Sequence, residues 1–338
     1  MVNFQSNYRK GLIIFLLLTK MCHSQTFFPL DSGFEQNCNL RAIYYDTLSN
    51  RLFTGGTCVT TANGLIVNGI AQWDGQNWDS LSIGLDGFCF AITKYGNDIV
   101  VGGVYNHAGG VATKGLAKWN GSSFSHFADF EYVGDGCVQS LYKDGADLYV
   151  GGCYDILNGS PANGMAKYDG NSWSVYPTLR TPYPFINGII KFNNDLFVGG
   201  LIDVPNSSPP IYALAKWNGS QWQKVGSGFP DINAGINKMA IYQNELYVVG
   251  AFTTATGCPG NNIAKWNGTL WSQCGSGLVT TEAEDLVVYQ NELYVVGLLQ
   301  SAGGIPVSVI AKWDGNQWHS VPGGNLCRFW SNSWKSRS

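Results

Sequence analysis

Charge is scarce in this 338-residue chain. Asp, Glu, Lys and Arg together make up 13% of it, about half the usual 25% or so. Histidine is scarcer, at 4 residues, which leaves little material for a multi-histidine metal centre or for acid–base chemistry near neutral pH. No segment shows apolar residues at a 3.6-residue period, so amphipathic helices and coiled coils are not expected. The longest apolar run, Leu12–Leu18, is far short of the roughly 20 residues that a membrane-spanning helix requires. Phosphate-binding P-loops, His-Glu-x-x-His zinc sites, EF-hand loops and Cys-x-x-Cys pairs are all missing. Neither a cofactor nor a metal site is therefore expected, and no catalytic residue is assigned. Disorder is excluded by the opposite balance, 45% hydrophobic and 14% aromatic, because disordered chains have too little apolar surface to bury.

Residues 1–24 read as a secretory signal. Arg9 and Lys10 precede the apolar run, and the segment ends at Ser24 before Gln25, the order of a charged, an apolar and a cleavage region. Apart from this segment the chain carries 17 basic and 23 acidic side chains. That balance disfavours binding to nucleic-acid phosphates. The expected location is outside the cell or on its surface.

What the chain has in excess is glycine, 43 residues, and tryptophan, 12 residues. Both fall in a repeat, and a fixed period is the first thing to seek in a chain of this kind. One motif recurs six times: Trp73-Asp74-Gly75 with Trp78, Trp119-Asn120-Gly121 with Phe124, and Tyr168-Asp169-Gly170 with Trp173. It continues as Trp217-Asn218-Gly219 with Trp222, Trp266-Asn267-Gly268 with Trp271, and Trp313-Asp314-Gly315 with Trp318. A second series runs in register: Gly55-Gly56, Gly102-Gly103, Gly151-Gly152 and Gly199-Gly200, then Gly250 and Gly297, where only the second glycine remains. Each unit divides into four short strands. The Asp-Gly or Asn-Gly pair signals a hairpin between strands three and four, with both central residues expected at positive φ. Four strands in about 48 residues, repeated radially, is the pattern of a β-propeller blade. The expected fold is all-β, six four-stranded antiparallel blades, or a seven-bladed ring cut short at its C-terminus.

The glycine doublet followed by two spaced aromatics resembles kelch and galactose-oxidase-type propellers. The fuller pattern, Leu-Tyr-Val-Gly-Gly then Ile-Ala-Lys-Trp-Asn-Gly-x-x-Trp, resembles repeats of secreted propeller proteins of Bacteroidota and of the fungal cortical cell-polarity marker. The resemblance covers residues 38–322 and implies fold far more than activity.

The domain reading is a signal over 1–24, a closure strand over 25–37, six blades over 38–324 and an irregular tail over 325–338. The closure strand rests on a match: Leu30-Asp31-Ser32-Gly33-Phe34 aligns with Val225-Gly226-Ser227-Gly228-Phe229, the exit of a fourth strand. Phe27–Leu30 thus reads as a fourth strand with no first three before it.

Eight of the 9 cysteines lie beyond the signal, and in a secreted chain they read as disulfides. Placement on the blade pairs Cys38 with Cys58, Cys137 with Cys153 and Cys258 with Cys274. The longer loops all open on one face, which carries Asp86, Asp129, Glu131, Asp135, Asp155, Asp203, Asp231, Glu282 and Glu284 against Lys114 and Arg180. Variable loops on a rigid scaffold are the usual place for binding. The expected function is a non-enzymatic scaffold that binds a protein, glycan or cation on this acidic face. The alternative is an oxidase or glycan-active hydrolase working at the same face.

Overall fold

The computed structural model describes residue 34 and residues 39–58, 64–131, 137–179, 184–205 and 207–321, without the side chains of residues 281 and 282. Six antiparallel sheets follow one another, each containing four strands in chain order. Blade 1 comprises Leu40–Asp46, Arg51–Gly56, Ile70–Trp73 and Trp78–Ser80; blade 2 comprises Phe88–Tyr95, Asp98–Val104, Gly115–Trp119 and Phe124–Glu131. Blade 3 comprises Cys137–Asp144, Asp147–Cys153, Met165–Tyr168 and Trp173–Val175; blade 4 comprises Phe185–Phe192, Asp195–Asp203, Tyr212–Trp217 and Trp222–Gln223. Blade 5 comprises Gly235–Tyr242, Glu245–Ala251, Ile263–Trp266 and Trp271–Gln273; blade 6 comprises Leu278–Tyr289, Glu292–Ala302, Ile310–Trp313 and Trp318–Ser320. The one helical turn among the described residues is the 3-10 segment Thr254–Thr256. The chain is a six-bladed β-propeller.

The motif aromatics face each other across strands three and four, with ring centroids 5.3 Å apart at Trp73–Trp78 and 4.9 Å at Trp119–Phe124. The second aromatic also ties blade to blade. Trp222, Trp271 and Trp318 donate their indole N–H to the carbonyls of Pro177, Val225 and Cys274, on the exit of the preceding blade, at 2.8, 2.9 and 2.9 Å. The lysine that stands just before the motif aromatic in five blades is structural as well. Lys167, Lys216, Lys265 and Lys312 pair with the acid that opens strand two, Asp147, Asp195, Glu245 and Glu292, at 3.3, 2.7, 2.7 and 2.8 Å. In blade 2, Lys118 lies instead over the Phe127 ring at 3.8 Å.

The hairpin between strands three and four differs from the two-residue turn expected. Trp73 pairs with Trp78, so the loop holds four residues and only its glycine is at positive φ, 104° at Gly75 and 106° at Gly268. The Asp or Asn before it serves as a cap. Asp74 Oδ1 accepts from the N–H groups of Gln76 and Asn77 at 2.8 and 2.7 Å, and Asn267 Oδ1 accepts from Thr269 and Leu270, both at 2.8 Å. Either side chain supplies that oxygen, which is why the repeat alternates between them.

Apolar clusters fill each interface from blade 1 to blade 6. Blades 6 and 1 carry separate clusters on the faces left over, one around Tyr294, Val296 and Ile310 and the other around Leu52, Trp73 and Trp78. The inner strands of consecutive blades pack side by side, and no comparable packing joins those of blades 6 and 1 among the described residues. Phe27–Leu30, expected as the closure strand, lies outside the described residues. Phe34 is described, and it packs edge-on against Trp78 at 4.7 Å, as Phe229 packs against Trp271 at 5.4 Å.

Cys137 and Cys153 are disulfide-bonded, with Cα atoms 5.1 Å apart. They stand directly opposite in the ladder of strands one and two. Cys58 is disulfide-bonded too, and its expected partner Cys38 lies outside the described residues. The expected Cys258–Cys274 bridge does not form: both are free and buried. Cys258 enters the cluster between blades 4 and 5, and Cys274 enters the one between blades 5 and 6. Their side chains therefore leave opposite faces of the same sheet.

Candidate functional site at the channel

The acidic loop residues are not a free patch. Asp86 accepts from the backbone N–H groups of Asn106 and His107, both at 2.8 Å, and meets His107 Nδ1 at 2.7 Å. Partial burial raises its carboxyl, but these bonds outweigh it and hold the group below the usual value. Asp129 accepts from Lys114 N–H at 2.8 Å, and Glu131 pairs with Lys114 Nζ at 2.6 Å. Asp155 N–H donates to Glu131 O at 3.0 Å, which brings Asp129, Glu131 and Asp155 together where blades 2 and 3 meet. Asp203 ends a strand of blade 4, and Asp231 Oδ1 accepts from Asn233 N–H in a turn. Asp135 and the side chain of Glu282 lie outside the described parts. Glu284 is not on a loop at all; it lies in the first strand of blade 6 and lines the central channel.

That channel has a construction the sequence reading missed. In all six blades strand one departs from regular pairing with strand two, at 40/42, 89/91, 138/140, 186/188, 236/238 and 283/285. Each step leaves one extra residue, as in a β-bulge, a device that re-aims side chains. The extra residues are Arg41, Phe90, Gln139, Asn187, Asn237 and Glu284, and all six line a cavity of about 310 Å³. In blades 1 to 5 the bulges sit at the start of strand one, and in blade 6 near its middle, in each case on the side away from the tight turn and toward the long loops.

The bulge also explains the glycine series. A Cβ on the second glycine would lie 2.0 Å from Asn39 O at Gly56, 1.9 Å from Cys137 O at Gly152 and 1.7 Å from Phe185 O at Gly200. Only glycine lets the carbonyl preceding the bulge approach so closely. The first glycine meets side chains of the next blade instead, such as Val138 Cγ1 at 2.5 Å from a Cβ on Gly102. In blade 5 valine takes that place as Val249, and the facing residue of blade 6 is the small Ala283; both lie in one cluster.

The cavity holds charges of both signs. Asp285, one residue past the bulge of blade 6, accepts from its neighbour Leu286 N–H at 2.7 Å. Burial pushes its carboxyl up, opposed more weakly by the charge of Lys238. Asn187 and Asn237 donate their Nδ2 groups to Ile236 O and Ala283 O of the next blade at 3.3 and 2.9 Å. Arg41 lies over the ring of Phe90, 5.6 Å from its centroid. Among the described residues no group of three or more His, Cys, Asp or Glu side chains is placed to hold a metal ion. The bulge column has a signal in the sequence. In blades 2 to 6 it lies 13 residues before the second glycine, and its chemistry changes from blade to blade while the scaffold positions repeat.

No family model and no curated protein matches the chain. Among solved structures it is similar to the extracellular domain of a putative hybrid two-component system from B. thetaiotaomicron. The TM-score is 0.52 at 13% identity, over 83% of this chain. The match spans 33% of that protein chain's length. It is also similar to YCF48 in complex with a D1 peptide, with a TM-score of 0.51 at 12% identity, over 87% of this chain and 84% of that one. At such identities the likeness establishes the propeller fold alone.

Proposed function

We propose that the chain is a secreted or cell-surface, non-enzymatic propeller that binds its ligand at the long-loop end of the central channel. One observation carries this reading. Positions that build the blade repeat almost unchanged, whereas the bulge position presents Arg41, Phe90, Gln139, Asn187, Asn237 and Glu284 to a common cavity. A column that only closed the channel would need no such variety. Six side chains of five kinds facing one cavity make an asymmetric surface on a symmetric scaffold, which is what recognition needs. The acidic loops at Asp129, Glu131 and Asp155 stand on the same end and form the rim.

The signal over 1–24, the disulfides and the resemblance to kelch-type and Bacteroidota propellers support export. The bacterial neighbour is itself an extracellular domain, and YCF48 binds a peptide; a protein or glycan ligand at the channel end is the corresponding reading here. The test is a glycan array and a peptide library probed with the intact chain and with Arg41→Ala and Gln139→Ala variants. Binding that these substitutions weaken supports the site. Binding that ignores them, or turnover of a bound glycan, overturns it.

A further inference from the structure

The residue after each bulge is small in four blades, Ala42, Ala91, Ser140 and Gly188, and charged in the other two, Lys238 and Asp285. These two charges are neighbours in the ring, half-buried, and both line the channel cavity. They act on each other through charge, yet no hydrogen bond or ion pair joins them. Opposite charges in a partly dry cavity attract strongly, and leaving them apart is costly unless something else satisfies both. Ion pairs form readily elsewhere in this molecule, at 2.8 Å between Lys94 and Asp46 for example.

A second observation concerns the same cavity. Thr54 stands at a strand-two position that holds valine in the other five blades, Val101, Val150, Val198, Val248 and Val295. It is 1% exposed, it lines the cavity, and its Oγ1 has no hydrogen-bond partner. A buried hydroxyl without a partner is destabilising relative to valine, so the substitution points to a polar guest.

We propose that the cavity binds a small zwitterion of the amino-acid class, its carboxylate on Lys238 and its ammonium on Asp285. The inference rests on the channel-end binding reading above. A neutral sugar would leave both charges unanswered, and a simple cation or anion would answer only one. Asn187, whose Nδ2 is committed to Ile236 O, keeps its Oδ1 as a further acceptor for the ammonium. A volume of about 310 Å³ is at the small end of ligand pockets and suits a single small molecule.

The experiment is calorimetric titration of the intact chain at neutral pH with glycine, L-alanine, L-glutamine and γ-aminobutyrate. Propylamine, propionate and glucose serve as comparators. At least one zwitterion should bind at least tenfold tighter than all three comparators. Lys238→Met should reduce its affinity to that of propylamine, and Asp285→Asn to that of propionate. Thr54→Val, which restores the residue of the other blades, should raise the melting temperature of the free protein and weaken the zwitterion. It also keeps the test decisive should a charge variant fail to fold. Absence of binding by all four zwitterions, tighter binding of glucose, or affinity unchanged in all three variants overturns the proposal. A glycan or peptide found on the arrays that still binds Lys238→Met would sink the zwitterion and leave the binding scaffold standing.

Discussion

Single side chains explain the repeat better than its symmetry does. Asp314 accepts from Asn316 and Gln317 N–H, both at 2.8 Å, and its Oδ2 lies 2.7 Å from His319 Nε2. The His319 contact and the two N–H groups hold the carboxyl at about 2, below the ordinary 3.8. A value lowered in the folded state means stabilisation that is present above the unfolded value and lost as pH falls toward the folded one. The loss from this turn therefore falls between about pH 4 and pH 2, and carboxyl NMR titration of Asp314 should show a midpoint near 2. Asp314→Asn should cost little, because asparagine makes the same two bonds at Asn120, Asn218 and Asn267. Asp314→Ala, which leaves two N–H groups without that oxygen, should cost about 1 kcal/mol in chemical denaturation. The cysteines divide in the same residue-by-residue way. Replacing Cys137 and Cys153 with serine should cost about 3 kcal/mol, as expected for a short closed loop. Cys89, Cys258 and Cys274, all buried, should resist alkylation until the chain unfolds. Burial pushes the Cys274 thiol up to about 12, which removes the reactive thiolate.

At the scale of the strand, the bulge and the second glycine are one device. Gly152→Ala would press a Cβ onto Cys137 O at 1.9 Å, and backbone cannot move aside cheaply. The expected loss is ~4 kcal/mol or failure to fold, at the upper end for single substitutions. Gly188→Ala is the control: the nearest atom is the flexible Met239 Cε at 3.2 Å, and alanine already stands there as Ala42 and Ala91, so the cost should stay under about 1 kcal/mol. The swap at Val249 and Ala283 makes a sharper test. Ala283→Val alone should overpack the blade 5–6 interface, and the double variant with Val249→Gly should recover most of the loss, since touching residues couple. Non-additivity below about 0.5 kcal/mol in a double-mutant cycle would refute the complementarity. The strands themselves were legible in the sequence because glycine and aromatic positions recur with chemical identity: strand three of blade 5, Ile263–Trp266, ends on the motif aromatic. The channel was not legible, because its residues share only a position. Arg41, Gln139 and Glu284 have nothing in common until a bulge turns each of them inward. Formal charge at Asp86 and Glu131 is visible in the sequence, but their pairing with His107 and Lys114 is not. The Cys258–Cys274 expectation failed because spacing places a residue along a strand without saying which face it leaves.

At the scale of the whole molecule, the described residues form five equivalent blade interfaces and one exception. From blade 1 to blade 6 each pair of blades shares an apolar cluster, and each inner strand packs on the next. Between blades 6 and 1 the described residues form two clusters, not one. The polar residue Thr54 faces that side, on a strand where the other blades have valine. Phe34 packs on Trp78 there as Phe229 does on Trp271. In a repeat protein, stability is close to a sum of blade terms and interface terms, so the weakest interface sets where opening begins. Among the described residues blades 1 and 6 each lack a shared cluster on one face, whereas blades 3 and 4 have one on both. Hydrogen exchange should therefore release the amides of Arg51–Gly56 and Glu292–Ala302 before those of Asp147–Cys153 and Asp195–Asp203. The order should hold across denaturant concentrations below the main transition, because the difference lies in how many interfaces must be lost. A zwitterion in the channel would touch Lys238 and Asp285 on one side of the seam and Thr54 on the other. Its binding should slow exchange in blades 1 and 6 more than in blades 3 and 4. Uniform protection through all six blades would mean that the seam is as strong as the other interfaces, and would remove this account of where the ring opens.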